Sequence, residues 1–415
     1  MFGFGTKKPA PAADRSKLVG LDLTASRARG VALAVGRTRP LLLDDPEEDL
    51  LLMIDLGKRT TTVGRSGYAN CRRSPHLVCS NFLPQLGHAR QWQAGRHSLS
   101  PEEALKRSFD ELREPVTAET EAAGLVLPVY LTATQAKATT RIAKECRLPI
   151  RGTTTAPLAL AAHRAVWVLD PTAAPPKDSR RPDWVVPIRQ NSVGPAAIVV
   201  VDADEFALHA TVVGIEPGEV KLLGHAVWPK LSFKLWKDRL LDAISDRCVR
   251  VCRRDPRDSA DAEQALYERL DESLDRVRLG QPVSLTVRSE HWYQDLIHRP
   301  DEFDAFCSPL AKSAADGLGE MLRTADLGVP PRAVWLTDSA ARLPGLAVAV
   351  HRSVPEQTQV LALSANAVAD AVAALVPRWL RDELPRGHLD ALIPLDEIPA
   401  SKSNAVQPRP ALPRG

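Results

Sequence analysis

Several absences narrow what this chain can be. It has no run of eighteen apolar residues, which excludes a membrane-spanning helix of ordinary length. Its first residues, M-F-G-F-G-T-K-K-P-A-P-A-A, lack the apolar core of a secretory signal. Neither sign of charge dominates: 54 Lys and Arg against 51 Asp and Glu leave +3, and the basic residues are scattered. A nucleic-acid partner is therefore not expected. The six cysteines show no paired C-x-x-C spacing and point to a reducing, cytoplasmic setting. The histidines, His76, His209 and His351 among them, share no common spacing and read as structural or exposed. What is present fits a globular protein. The chain has 415 residues, enough for two or more lobes, with 44% apolar and 25% charged residues. Its 34 prolines suggest rigid connections and disordered ends.

The stretch from Leu125 to His163 organises the rest. Leu125 to Leu131 is a short apolar run containing Pro128 and reads as a strand. Thr132 and Gln135 form a capping-box pattern, after which Ala138, Ile142, Ala143 and Cys146 recur at helical spacing. Leu148 to Arg151 predicts a second strand. Thr155 and Pro157 then stand where an N-cap and first helical residue belong, ahead of an Ala/Leu-rich helix. Strand, helix, strand, helix is an α/β crossover unit.

The flanking chain reads in the same way. Leu18 to Leu23 and Gly30 to Val35 predict a hairpin, and Ser100-Pro101-Glu102-Glu103 opens a capped helix. Ala196 to Val201, Ala207 to Ile215 and Glu219 to Ala226 are three successive strands. Amphipathic helices follow over Trp228 to Cys252 and Ala262 to Leu279. Cys248 and Cys252 lie one turn apart on the first of these, but with no second ligand pair they read as buried thiols. Three segments are expected to be irregular: a leader over 1–16, an insertion rich in Pro, Arg and Asp over about 164–194, and a Pro-rich tail over 381–415.

Pro128, Tyr130, Gln135, Ala138 and Thr139, followed by Thr155-Ala156-Pro157-Leu158-Ala159-Leu160-Ala161, resemble the middle of the ATPase domain of seventy-kilodalton heat-shock chaperones. In that family a V-P-A-Y-F strand precedes a Gln and an Ala-Thr pair, and a later helix begins N-E-P-T-A-A-A-L-A. The stretch from Val63 to Gly87 is similar to the family without a gap, with Val63, Gly64, Pro75 and Gly87 coinciding. Leu336, Thr337 and Arg342 to Leu346 resemble its adenosine motif. Asn366 to Ala374 resembles its closing helix, with Ala371 at a position often Gly. The resemblance spans roughly residues 17 to 380. It implies an actin-like (ribonuclease H-like) α/β fold with one lobe over 17–195 and a second over 196–380. The family's client-binding half is not expected.

The same resemblance sets out where the family's chemistry would sit. Its first phosphate turn, G-I-D-L-G-T-T, is here Gly20-Leu21-Asp22-Leu23-Thr24-Ala25-Ser26. Its second, D-L-G-G-G-T, is Asp202-Ala203-Asp204-Glu205-Phe206-Ala207. The aspartates remain, but the glycines that let phosphate approach backbone do not. The catalytic Lys and Glu positions carry Leu83 and Ala156. The adenine-clamping Lys falls on Leu274 or Asp275, and the adenosine-motif glycines are Asp338, Ser339 and Ala340. Asp338 or Ser339 would instead cap the following helix.

Asp22, Ser26, Asp202, Asp338 and Ser339 are thus the candidate cofactor-binding residues. Asp202, Asp204 and Glu205 read as a solvated turn; alternatively Asp204 and Glu205 are carboxylates that repel phosphate, or ligands of a metal ion. The first functional expectation is a degenerate pseudo-ATPase acting as an interaction or scaffold module for protein partners, with no cofactor. The alternative is an ATP-binding, chaperone-like enzyme or nucleotide switch in which Asp22 and Asp202 hold magnesium. A sugar kinase of the same superfamily is weaker, because no sugar-site motif stands out.

Overall fold

The structure, a computed structural model, describes residues 17–34, 37–169, 195–325, 327 and 330–395. Two mixed α/β halves make up the described chain. The first begins with β1 (Leu18–Leu23), β2 (Arg27–Ala34), β3 (Arg37–Pro40) and β4 (Asp49–Leu51). A small subdomain follows: β5 (Ile54–Asp55), β6 (Thr62–Val63), α1 (Arg65–Tyr68), β7 (Val78–Cys79), β8 (Trp92–Ala94) and β9 (His97–Leu99). The half closes with α2 (Pro101–Glu119), β10 (Ala123–Leu127), α3 (Ala133–Glu145), β11 (Ile150–Thr155) and α4 (Ala156–Leu169). The second half runs β12 (Ala196–Ala203), β13 (Leu208–Glu216), β14 (Glu219–Trp228), α5 (Phe233–Cys252), α6 (Ala260–Arg278), β15 (Val283–Ser289) and β16 (Trp292–His298). It continues through α7 (Pro300–Thr324), β17 (Ala333–Leu336), α8 (Asp338–Ala341), α9 (Leu346–Ser353), β18 (Gln359–Ala362) and α10 (Ala367–Leu380). Last come β19 (His388–Leu389) and β20 (Leu392–Pro394).

The two main sheets repeat one plan. The first orders its strands β3-β2-β1-β10-β11 and the second β14-β13-β12-β17-β18. In each, the first three strands are antiparallel neighbours and the last two run parallel to the first. Side-chain alternation assigns the faces. Val19, Leu21 and Leu23 join a core with α2 and α3, while Val199 and Val201 join one with α5, α6 and α7. The opposite faces meet α10 and α4, which share a third core containing Val126, Leu158, Ile198, Val213 and Val372. Asp22 and Asp202, one residue out of step with the core-facing leucines and valines, therefore point to the side where the halves meet.

One packing feature was not anticipated. Gly20, Gly124 and Gly152 lie in register across β1, β10 and β11. A Cβ on Gly20 would stand 2.0 Å from the Ala369 carbonyl oxygen, and one on Gly152 2.1 Å from the Trp379 ring. The row is a trough that lets α10 lie directly on the sheet.

Both predicted capping boxes are present, Ser100–Glu103 and Thr132–Gln135 at the starts of α2 and α3, but Thr155, expected to cap α4, ends β11 with its hydroxyl buried and making no hydrogen bond. Several boundaries move. The strand expected over Leu125 to Leu131 ends at Leu127, because Pro128 starts a turn closed by the Leu131 amide. The strand placed at Leu148 to Arg151 runs from Ile150 to Thr155, carried by three buried β-branched threonines. The helix expected from Trp228 begins at Phe233 after a 3-10 turn over Pro229–Leu231, with Ser232 as its N-cap. α4 extends to Leu169, six residues into the expected insertion. The remainder of that insertion to residue 194, and the expected leader over 1–16, lie outside the described residues.

The tail is corrected most. Residues 388–394, placed in a disordered tail, supply an added strand to each main sheet. β19 pairs parallel to β11, and β20 pairs antiparallel to β14. The Thr154 hydroxyl donates to the Leu389 carbonyl, and the Trp379 indole donates to Pro385. Pro394 has no N–H to give, and it sits at a sheet edge where none is required. The residues from 396 onward lie outside the described part.

Candidate functional site

The β1–β2 and β12–β13 turns, where the resemblance would put the phosphate turns, meet at the junction of the halves. Each closes on itself. The Thr24 hydroxyl accepts from the Ser26 and Arg27 amides at 3.3 and 3.2 Å. Asp204 Oδ1 accepts from the Phe206 and Ala207 amides at 2.9 and 3.0 Å. These are the short side-chain-to-backbone turns that Thr and Asp form readily and Gly cannot.

Asp204 also bridges the two turns. Its Oδ2 accepts the Ala25 amide at 2.9 Å and the Tyr130 hydroxyl at 2.5 Å, both from the first half. The residue is 3% exposed. The reading of Asp204 as a solvated turn is corrected here: the carboxylate is buried and accepts from four donors. Phe206 packs on the Tyr130 ring with centroids 4.8 Å apart. Glu205 is half-buried; burial pushes its carboxyl up, and Lys237 nearby opposes that.

Asp22 and Asp202 have separate partners. Asp202 accepts from the Thr337 hydroxyl at 2.5 Å and the Ala203 amide at 2.8 Å, and stands 3.6 Å from His209 Nε2. Asp22 lies 3.8 Å from the Arg27 guanidinium. Burial, opposed by Arg27 and reinforced by Asp202, pushes the Asp22 carboxyl up to about 6. Among the described residues, no group of three or more His, Cys, Asp or Glu is arranged to hold a metal ion.

The sequence reading missed Arg27, Arg29 and Asp49, which join this site to the β17–α8 turn. Arg29 grips Asp49 through two parallel bonds of 2.6 and 2.7 Å and donates to the Ala365 carbonyl at 2.9 Å. Arg27 lies 3.6 Å from Asp49 and donates to the Ser339 hydroxyl at 3.4 Å. Burial pushes the Asp49 carboxyl up, but Arg27 and Arg29 outweigh it and hold it below the usual range. The available signal was the Arg-Ala-Arg alternation at the start of β2, which puts two cations on the inward face.

The turn between β17 and α8 differs from expectation in its cap. Thr337, not Asp338 or Ser339, caps α8 by accepting the Ala340 amide. Asp338 instead accepts from Arg278 at 2.5 Å and lies 3.9 Å from Arg29. Asp275 pairs with Arg342 at 2.7 Å, and Leu274 is core. Leu83 and Ala156, at the family's catalytic positions, are both core residues. Ser26 stays at the first turn, its hydroxyl 3.2 Å from that of Thr24. The Cys248 and Cys252 sulfurs are 3.5 Å apart, and the second donates to the Cys248 carbonyl.

No model of a known protein family matches this chain, and no curated protein matches it. No helix among the described residues is long and apolar enough to cross a membrane.

Proposed function

We propose that the chain is an actin-like domain, similar to the ATPase domain of seventy-kilodalton heat-shock proteins, whose phosphate site has become a permanent tie between the lobes. It then serves as an interaction or scaffold module for protein partners and not as an ATPase. The fold part of the reading is supported by the repeated strand order of the two sheets and by the two turns that face each other. The functional part rests on one observation: Asp204 takes the backbone amides of both turns.

A phosphate at this place would need those amides as donors. The Ala25, Phe206 and Ala207 amides are spent on Asp204, and the Ser26 and Arg27 amides on Thr24. A polyanion would have to displace a buried carboxylate that its own chain holds at far higher effective concentration. The residues present do not fit a nucleoside triphosphate. Nor do Leu83 and Ala156 offer a cation or a base for hydrolysis.

Calorimetric titration of the full chain with Mg-ATP tests this. No saturable heat is expected up to millimolar nucleotide. Saturable magnesium-dependent binding in the micromolar range would overturn the reading and restore the nucleotide switch, with Asp22 and Asp202 as candidate metal ligands.

A further inference from the structure

A second set of contacts joins the halves away from the turns, between the small subdomain and helices α5 and α6. Lys237 on α5 is 1% exposed, so its charge is shielded from solvent. Its ammonium donates to the Tyr68 hydroxyl at 2.7 Å and to Asp271 on α6 at 2.9 Å. The Tyr68 hydroxyl donates to the same Asp271 oxygen. The ammonium also lies 3.9 Å from the Tyr267 ring centroid and 5.0 Å from that of Tyr68. Around this centre, Gln264 donates to the Tyr68 carbonyl at 2.8 Å and accepts the Arg72 amide at 2.7 Å. Arg72 pairs with Asp238 and stacks on Tyr267 at 4.3 Å.

The chemistry of this contact differs from that of the interior. Tyr68 and Cys71 are the apolar side chains that the small subdomain adds to the second half's core, and neither is fully buried. The rest of the contact is polar and ionic. Burying the lysine costs solvation that its attraction to Asp271, whose side chain is 39% exposed, roughly offsets, so such a contact specifies one arrangement without adding much net stability. An apolar seam of the same extent would be permanent. An ionic one is close to balance and can be released.

We propose that Tyr68, Lys237 and Asp271 form a latch that holds the small subdomain shut against α5 and α6, and that releasing it opens the junction on that side while both halves stay folded. The latch stands on these contacts and not on the nucleotide reading. A chain found to bind Mg-ATP would overturn that reading and leave the latch in place.

Hydrogen exchange of the full-length Lys237→Met and Tyr68→Phe variants tests it, after circular dichroism confirms that each is folded. Met keeps most of the lysine's packing and removes its charge. Phe keeps the ring and removes both hydroxyl bonds. At least tenfold faster exchange is expected in residues 65–77 and in α6 for both variants, with α2, α3 and the two main sheets unchanged. Unchanged exchange in 65–77 would overturn the latch. So would faster exchange spread evenly over both halves, which would make Lys237 an ordinary support of the core. If Lys237→Met does not fold, Tyr68→Phe alone decides between these outcomes.

Discussion

At the scale of single residues, Asp204 concentrates the most consequence. One carboxylate meets three backbone amides and a phenol, and all four donors are left without that partner if it goes. Each buried donor left unpaired costs about 1–3 kcal/mol. Asp204→Ala should therefore lower unfolding stability by about 3 kcal/mol or more, read from urea denaturation, and loosen Tyr130 as well. A loss below about 1 kcal/mol would mean that water replaces the carboxylate without difficulty. The sequence puts acids where the resemblance would have glycines, but does not show what they do there. Read along the chain, Asp204 and Glu205 are adjacent acids, which suggests solvent or repulsion. The Ala25 amide and Tyr130 hydroxyl, which give Asp204 its structural role, come from distant segments.

At the scale of elements, local signals carry far. Caps, turn residues and apolar spacing place α2, α3 and the strands β12 to β14, because these signals are set by neighbours in the chain. The glycine trough cannot be read that way. Gly20, Gly124 and Gly152 look like ordinary strand glycines until α10 is laid across them. Gly152→Ala should cost about 3 kcal/mol or more, since its Cβ would overlap the Trp379 ring and both backbone and indole are hemmed in. Gly224→Ala on β14, where an added Cβ meets nothing within 4 Å, is the control and should be nearly neutral. Equal thermal shifts for the two would remove the trough's significance. Asp338 is a similar case. It is a good cap by type, yet Thr337 caps α8 and Asp338 answers Arg278 and Arg29 instead.

At the scale of the whole molecule, the carboxylates at the junction pull the pH dependence in opposite directions. Asp22 is raised from 3.8 to about 6, so its folded form holds a proton that the unfolded chain releases. Its contribution is fullest below about 4 and is lost as pH rises through 6. Asp49 and Asp271 are lowered, so theirs is present at neutral pH and lost on acidification. Asp22→Asn removes only the first effect. It should raise the melting temperature at pH 7.5, by the equivalent of up to about 3 kcal/mol, and leave it nearly unchanged at pH 4. An equal loss at both values would show Asp22 to be needed as a charge for Arg27. The alternation in the sequence already turns Asp22 inward, but its proton affinity depends on burial that only the assembled halves create.

The added strands β19 and β20 carry a consequence for how the molecule is made. They are the last two strands described along the chain, and each finishes a sheet whose other members were synthesised earlier. Chains fold as they emerge, earlier segments first. Until residues 388–394 arrive, β11 and β14 are bare edges of the kind that invites pairing with a neighbouring chain. The nascent protein therefore passes through an adhesive stage before residues 388–394 emerge, and those few residues then cover one edge of each sheet.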